Sequence, residues 1–451
     1  VNDPTLLSGW GRTAPTAARV VRPRTAAQVA EALARAGPRG ALPRGLGRSY
    51  GDAAQAAGGL VLDCRELTGP VRLDPGRATA TAPAGTALGR LAAHLLRRGF
   101  VLPVIPGTGY ATLGGAIAAD VHGKNHHRAS SLGAHVRSLT LVTPDGRDRV
   151  LAPEGPDADL FWATVGGMGL TGVVTEATVS VLSVETAYMR VDTDRTGGLD
   201  ATLDLMSRGS GAPYAVCWLD LLARGRALGR GVLTRADHAR VPDLPRALRA
   251  DPLRPAPARR LTAPPWAPPG LLNRWTAGAF NAARFHSAPE RRRGEPQPLP
   301  SFFHPLDAVR GWNRMYGPHG FVQYQFVVPF GAEDVLTGIA RDLSRTATPS
   351  FLAVLKRMGD PTPGPLSFPR QGWSLAMDLP ADLPGLGRLL HGFDERVLGA
   401  GGRLYLAKDS RARAETVHAM YPGLPAWREV RAKADPAGVL VSDMARRLRL
   451  V

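Results

Sequence analysis

Up to about residue 185 the spacing of apolar and polar positions switches repeatedly between periods of two and of 3.6, so short strands and helices alternate. Val20 to Gly37 reads as a strand and then an amphipathic helix, with Thr25 as its N-cap. Ala41 to Asp52 is a strand running into a glycine loop, Gly59 to Gly69 a buried strand, and Arg77 to Gly99 a strand, turn and helix. Ser138 to Ala152 reads as a hairpin turning on Pro144-Asp145-Gly146. Gly169 to Val191 closes this region with alternating, β-branched residues.

Between about Arg240 and Pro300 the periodicity fades into Pro and Arg, as in PLRPAPARRLTAPPWAPPG and PERRRGEPQPLP, which predicts a mobile loop or lid. Strand patterns return in GFVQYQFVVP, SFLAVLKRMG and GWSLAMDLP, predicting an antiparallel sheet with covering helices. The tail from Leu404 reads as a strand and two helical stretches. With 451 residues, two domains are expected rather than one core. The class is α+β.

Composition narrows the partners. No apolar run approaches the roughly 18–20 residues that span a bilayer, and the first residues show no basic stretch followed by an apolar one, so no Sec-type signal is expected. Two distant cysteines, Cys64 and Cys217, make neither a disulfide framework nor a zinc site. The formal charge of +18 invites an anionic partner, but no recognition helix, finger or aromatic-interleaved basic stretch points to nucleic acid. The charge reads as surface, with attraction to anionic membrane. Of 56 basic residues only four are lysine: Lys124, Lys356, Lys408 and Lys433. Lysine differs from arginine in its compact ammonium and adjustable pKa, so each survivor is a candidate for chemistry.

Glycines mark the candidate site. Arg44-Gly45-Leu46-Gly47-Arg48-Ser49-Tyr50-Gly51-Asp52 can offer successive backbone N–H groups to a diphosphate, yet it fits neither GxGxxG nor a P-loop. Pro106-Gly107-Thr108, Thr112-Leu113-Gly114-Gly115-Ala116-Ile117 and His122-Gly123-Lys124-Asn125-His126-His127 follow. So do the Leu132 to Leu139 segment and Phe161 to Gly172. His122 and His126 stand four apart, but neighbouring glycines and the lack of a nearby carboxylate argue against a metal.

In this order the motifs resemble the flavin-binding half of the vanillyl-alcohol-oxidase (PCMH-type) flavoproteins, and Asp435 to Arg447 matches that superfamily's ending. WGRTAP, RGLGRSYGD, DVHGKNHH, FWATVGG, FHPLD, GFVQYQFVVP, GGRLYLAKDSR, HAMYP and SDMARRL are together similar to the decaprenylphosphoryl-β-D-ribose 2′-oxidase family, over nearly the whole chain. The resemblance implies a PCMH-type FAD-binding domain over 1–186 and 402–451. A substrate-binding domain over 187–401, built on an antiparallel sheet flanked by helices, would carry the Pro/Arg-rich region near 240–300.

It also implies FAD surrounded by Arg44, Gly45, Leu46, Gly47, Arg48, Ser49, Tyr50, Gly51, Gly107, Thr112, Leu113, Gly114, Gly115, His122, Val174 and Tyr405. Many relatives carry a flavin-linking His where Arg48 stands, so non-covalent FAD is expected. Lys408 and His122 would face the flavin as catalytic candidates. Tyr50, Gln323, Gln325, Lys356 and Lys408 would meet the substrate, a polyprenyl-phosphoryl ribose oxidised at its 2′-hydroxyl. Gln323 and Gln325 lie two apart on one strand face, where the bland alternative is a solvated surface.

Further implied are an NAD(P)H-dependent short-chain reductase as partner and peripheral work at the plasma membrane, on its cytoplasmic or envelope side. Ala376, Ser374 and Phe303 stand where mycobacterial members carry Cys, Asn and Tyr. The competing readings are another sugar or lactone oxidase of the superfamily, and a non-catalytic basic protein binding membrane or nucleic acid.

Overall fold

The computed structural model describes residues 3–208, 211–255, 261–265, 267–268 and 270–451. Thr16–Val21 forms a strand, and Thr25 caps the next helix, Ala26–Ala34, by accepting from the Gln28 N–H. That helix buries Val29 and Leu33 and leads to a parallel strand, Ala41–Arg44, with Leu60–Asp63 lying between the two. Leu60–Asp63 is covered on both faces, which is why its sequence does not alternate. Thr5–Leu7 adds an antiparallel edge.

A second sheet runs in the order Arg72–Asp74, Thr79–Pro83, Val173–Ser180, Val136–Val142, Asp148–Leu151, all antiparallel. The expected hairpin forms its edge, with Val142 opposite Asp148 and Gly146 at φ +79° in the turn. Helices Leu88–Leu96 and Leu113–Ala118 bury Leu91, Leu95, Leu113 and Ile117 in the same core as Leu139 and Val179. The stretch from Gly169 to Val191, expected as one unit, is divided. Val173–Ser180 belongs to this sheet, and Tyr188–Thr196 enters the next.

The third sheet has eight antiparallel strands, in the order Arg291–Pro298, Tyr188–Thr196, Gly231–His238, Tyr214–Leu219, Ala353–Met358, Gly372–Pro380, Phe321–Val328, Arg403–Leu404. Its period of two separates two chemistries. Tyr324 packs on Phe393 of helix Leu386–Gly399, and Phe326 and Val328 share that core with helix Glu333–Arg345. Gln323 and Gln325 face the other way, opposite Asp378 and Ala376, and Lys356 stands opposite Ser374.

The Pro/Arg-rich region is more ordered than its composition predicts. It holds a 14-residue helix, Arg274–Ser287, and the strand Arg291–Pro298. Asn273 caps the helix by accepting from the Trp275 and Thr276 N–H groups, a local bond that outweighs the weak hydrophobic period. The strand lies at the sheet edge, where prolines and exposed arginines are tolerated and discourage further pairing. The parts of the expected lid at 256–260, 266 and 269 lie outside the described residues.

The tail contains one helix more than expected: Ala414–Met420, Leu424–Ala434 and Asp443–Arg447. Leu440 bridges to Ala41 in parallel, so the C-terminal segment extends the first sheet. Arg447 then donates to Asp52 through Nε and Nη2 and to Asp409 through Nη2, each at 2.8 Å. Asp409 is buried, with only 4% of its side chain exposed. Replacing Arg447 by methionine strands that carboxylate and is expected to cost about 2–4 kcal/mol of stability. A urea titration checks this as a lowered midpoint at unchanged slope; an unshifted midpoint would refute the role of the clamp.

Candidate active site

The glycine loop begins where strand Ala41–Arg44 ends, and the Arg44 side chain folds back to donate to Ala54 O (2.7 Å) and Ser8 O (2.8 Å). Two glycines are required by contact. A Cβ on Gly45 would stand 2.2 Å from Thr112 Oγ1, and Gly47, at φ +62°, would meet the Arg44 guanidinium at 2.3 Å. Thr112 caps helix Leu113–Ala118, so the first and second glycine motifs close on each other. Among the described residues the N–H groups of Gly45, Leu46, Gly47, Arg48 and Ser49 donate to no protein acceptor, while Tyr50 N–H donates to Ala407 O at 3.0 Å. Five free donors in a row suit the diphosphate of the FAD that the resemblance implies. Gly107 faces open space, with nothing within 4 Å of where its Cβ would be.

These loops wall a cavity of about 730 Å³, within the ordinary range for cofactor and substrate sites. Its other wall is the polar face of the eight-stranded sheet, with Gln323, Gln325, Lys356 and Ala376. Tyr405 is stacked on Phe368 (ring centroids 4.7 Å apart) and donates to Ala119 O at 2.7 Å. His122 Nε2 lies 2.9 Å from the Gln325 amide, and His122 Nδ1 lies 3.5 Å from Lys356 Nζ. The Gln325 amide also donates to Ser374 Oγ, and Gln323 donates to Asp378. Lys408 Nζ sits 3.8 Å over the Tyr50 ring.

Burial sets the charge states. It pushes Lys408 down to about 7, aided by Lys356 and opposed by Asp378. Lys356 falls to about 8 by burial alone. Lys124 falls to about 7 through burial, Lys356 and Arg284. Burial, then Lys356, His126 and Lys408, hold His122 well below the usual imidazole range, so it is neutral at physiological pH. Asp378 rises to about 7 by burial, against the Gln323 hydrogen bond and the Lys408 charge. Tyr50 is raised well above the phenol range, again chiefly by burial.

Most residues singled out from the sequence line this one cavity: Arg44 through Tyr50, Gly107, Thr112, Gly114, Gly115, His122, Val174, Gln323, Gln325, Lys356, Tyr405 and Lys408. Two do not. Leu113 points into the core with no exposed surface, because the helix phase turns it toward the five-stranded sheet. Gly51 is spent on packing, since a Cβ there would lie 2.1 Å from Asp409 O.

Others were missed. Asp120, at φ +39°, accepts from Gly133 N, Thr362 Oγ1 and Ser367 Oγ, tying the His122 segment to the loop that carries Phe368. Only the adjacency of Asp120 to the HG motif hinted at it. Lys124, singled out among the four lysines but given no site role, lines the cavity and donates to Phe302 O. His126 Nδ1 accepts from Gly359 N, and His127 Nε2 bonds Ala212 O. No group of three metal-ligating side chains occurs among the described residues.

Comparison with known proteins agrees with this geometry. Residues 17–151 match the FAD binding domain family, and residues 382–448 match the D-arabinono-1,4-lactone oxidase family. The chain is 46% identical to the decaprenylphosphoryl-beta-D-ribose oxidase of Mycolicibacterium smegmatis, over 99% of this chain and 97% of that protein. It is 43% identical to an uncharacterized protein of Streptomyces coelicolor, over 80% of this chain and all of that one. An alditol oxidase of Streptomyces is 29% identical over 39% of this chain and 42% of its own length.

Substituting Gly45 by alanine drives a methyl into Thr112 and is expected to lower FAD affinity by roughly tenfold or more, about 1.4 kcal/mol of lost contact. Equilibrium dialysis, with the visible flavin band as readout, checks this. Wild-type affinity in the variant would mean that the loop does not hold the cofactor.

Proposed function

The chain belongs to the decaprenylphosphoryl-β-D-ribose oxidase family and is an FAD-dependent oxidoreductase, and from that premise we propose that it oxidises the 2′-hydroxyl of a polyprenyl-phosphoryl β-D-ribose to the 2′-keto sugar. One observation carries the reading. A sheet face bearing two glutamines and a lysine closes the same cavity as the free N–H donors, with Lys408 beside both.

Bound FAD supplies a hydride acceptor. The protein's part is orientation and proton control. Gln323, steadied by Asp378, and Gln325, steadied by His122 and Ser374, hold the sugar hydroxyls. Lys408, near 7, is largely neutral in mildly basic solution and accepts the 2′-hydroxyl proton. Lys356, near 8, keeps more of its charge and stabilises anionic groups in the cavity. His122 is a holding group rather than an acid, because its neutral form dominates. Arg48 stacks on Trp10 at 3.8 Å and stays protonated, so it offers no nitrogen lone pair for a flavin bond, which supports non-covalent FAD.

The keto sugar would pass to an NAD(P)H-dependent short-chain reductase for completion of an epimerisation to the arabinose form. Trp275 is exposed beside Arg274 on a helix that also exposes Phe280, a mixture of apolar and cationic side chains that supports peripheral attachment at the plasma membrane. No helix among the described residues is long and apolar enough to cross a membrane. A second reading, oxidation of an aldonolactone, is favoured by the match over residues 382–448. Dye-coupled turnover of farnesylphosphoryl ribose but not of an aldonolactone would decide for the first, and the reverse preference for the second.

If neutral Lys408 is the active form, kcat/KM should rise with pH through about 7, because the neutral fraction grows as pH climbs, and fall again above about 8 as Lys356 loses its charge. Lys408→Arg keeps the charge but cannot release the proton, so it should lose about 10²–10⁴ in kcat, and Lys408→Met should lose as much. Near-normal turnover by the arginine variant would reduce the role of Lys408 to charge alone.

A further inference from the structure

Beside the main cavity lies a smaller pocket of about 360 Å³, lined by Arg12, Arg48, Arg310 and Arg314 together with Trp10 and Asn313. Trp10, Arg48, Arg310 and Gly311 border both spaces, so the pocket is a side chamber of the site. Some arginines elsewhere in the chain take carboxylate partners, as Arg411 does with Asp394 and Arg431 with Asp435. Among the described residues none of these four has one within 4.0 Å, and the undescribed positions include no Asp or Glu. The carboxylate that faces Arg48, Asp307, is committed to Thr108 Oγ1 and Gly109 N, both at 2.8 Å.

Three of the four cations are also held in place, while Arg310 is exposed at the end of the strand Val309–Arg310. Arg48 is sandwiched over Trp10 (3.8 Å) and Tyr110 (5.0 Å) and donates to Tyr110 O. Arg12 takes φ +61°, rare for a side-chain-bearing residue, and donates to Gly317 O. The Arg314 guanidinium lies against Gly311, where a Cβ would come within 3.2 Å of it, and Asn313 donates to Trp10 O at 2.9 Å. Four guanidinium groups with a single carboxylate nearby leave a net positive charge, and planar guanidinium forks match the oxygens of a phosphate.

We propose that this pocket is a phosphate-ester subsite that receives the phosphodiester joining the sugar to its lipid tail. The assignment of that phosphodiester rests on the function proposed above; the affinity for a phosphate ester does not. The charge comes from residues near 12, 48 and 310–314, and neither Gln323 nor Gln325 lines this pocket, so the subsite lies apart from the sugar-holding face.

Calorimetric titration of the FAD-loaded enzyme with farnesyl phosphate, against neutral farnesol, tests it without the sugar. The expected result is that the wild type prefers the phosphate and that R310Q/R314Q weakens its binding by about 30- to 100-fold, the loss of two charge-assisted contacts, with farnesol unaffected. R310K/R314K should recover part of the affinity. Equal weakening toward phosphate and alcohol would show a packing role and overturn the proposal. Normal farnesyl phosphate affinity in R310Q/R314Q, with lost binding to phosphatidylglycerol vesicles, would assign the cations to membrane headgroups and overturn it as well. If farnesyl phosphate binds through these arginines while farnesylphosphoryl ribose is not oxidised, the functional reading fails and the subsite stands.

Discussion

Arg447 holds the molecule's working parts together. It joins the end of the glycine loop at Asp52 to the loop bearing Lys408 at Asp409, across nearly the whole length of the chain. With that clamp in place, Tyr50 N–H reaches Ala407 O, Gly51 packs on the Asp409 carbonyl, and Lys408 comes to rest over the Tyr50 ring. The glycine loop and Lys408 are thereby fixed relative to each other by a partly buried ion-pair network. Such pairs are costly to break rather than strongly stabilising in themselves. Its value lies in positioning, which catalysis needs to within fractions of an ångström.

The second constraint is burial of positive charge. Lys124, Lys356 and Lys408 share one enclosed space with few carboxylates, so each is driven toward its neutral form and His122 is kept neutral outright. An arginine in any of these places would stay charged and could not serve as a proton acceptor. The scarcity of lysine in a strongly basic chain therefore has a physical sense at three of its four positions. Arginine does the opposite work in the adjoining pocket, where permanent charge is the useful property.

Much of this was legible in the sequence because it is local. Glycines that allow close approach, the Thr25 cap and the two-residue spacing of Gln323 and Gln325 are all short-range signals. Sequence resemblance then placed most of the cavity wall. What escaped is long-range. Leu113 sits inside a glycine motif yet turns into the core, since helix phase against the neighbouring sheet decides its direction. The helix Arg274–Ser287 was hidden by a composition that lacks a hydrophobic stripe, and its Asn273 cap is a weaker signal than the prolines around it. The Arg447 clamp, the Asp120 junction and the four-arginine side chamber join residues hundreds of positions apart, so no local pattern announces them.

The central claim is that one cavity brings a sugar hydroxyl, Lys408 and FAD together. Anaerobic addition of farnesylphosphoryl ribose to the FAD-loaded protein tests it most directly, with the visible flavin band followed and the sugar analysed afterwards. The account predicts that the band bleaches as an equivalent of 2′-keto sugar forms. A flavin band that persists while the sugar lipid is demonstrably bound would contradict it.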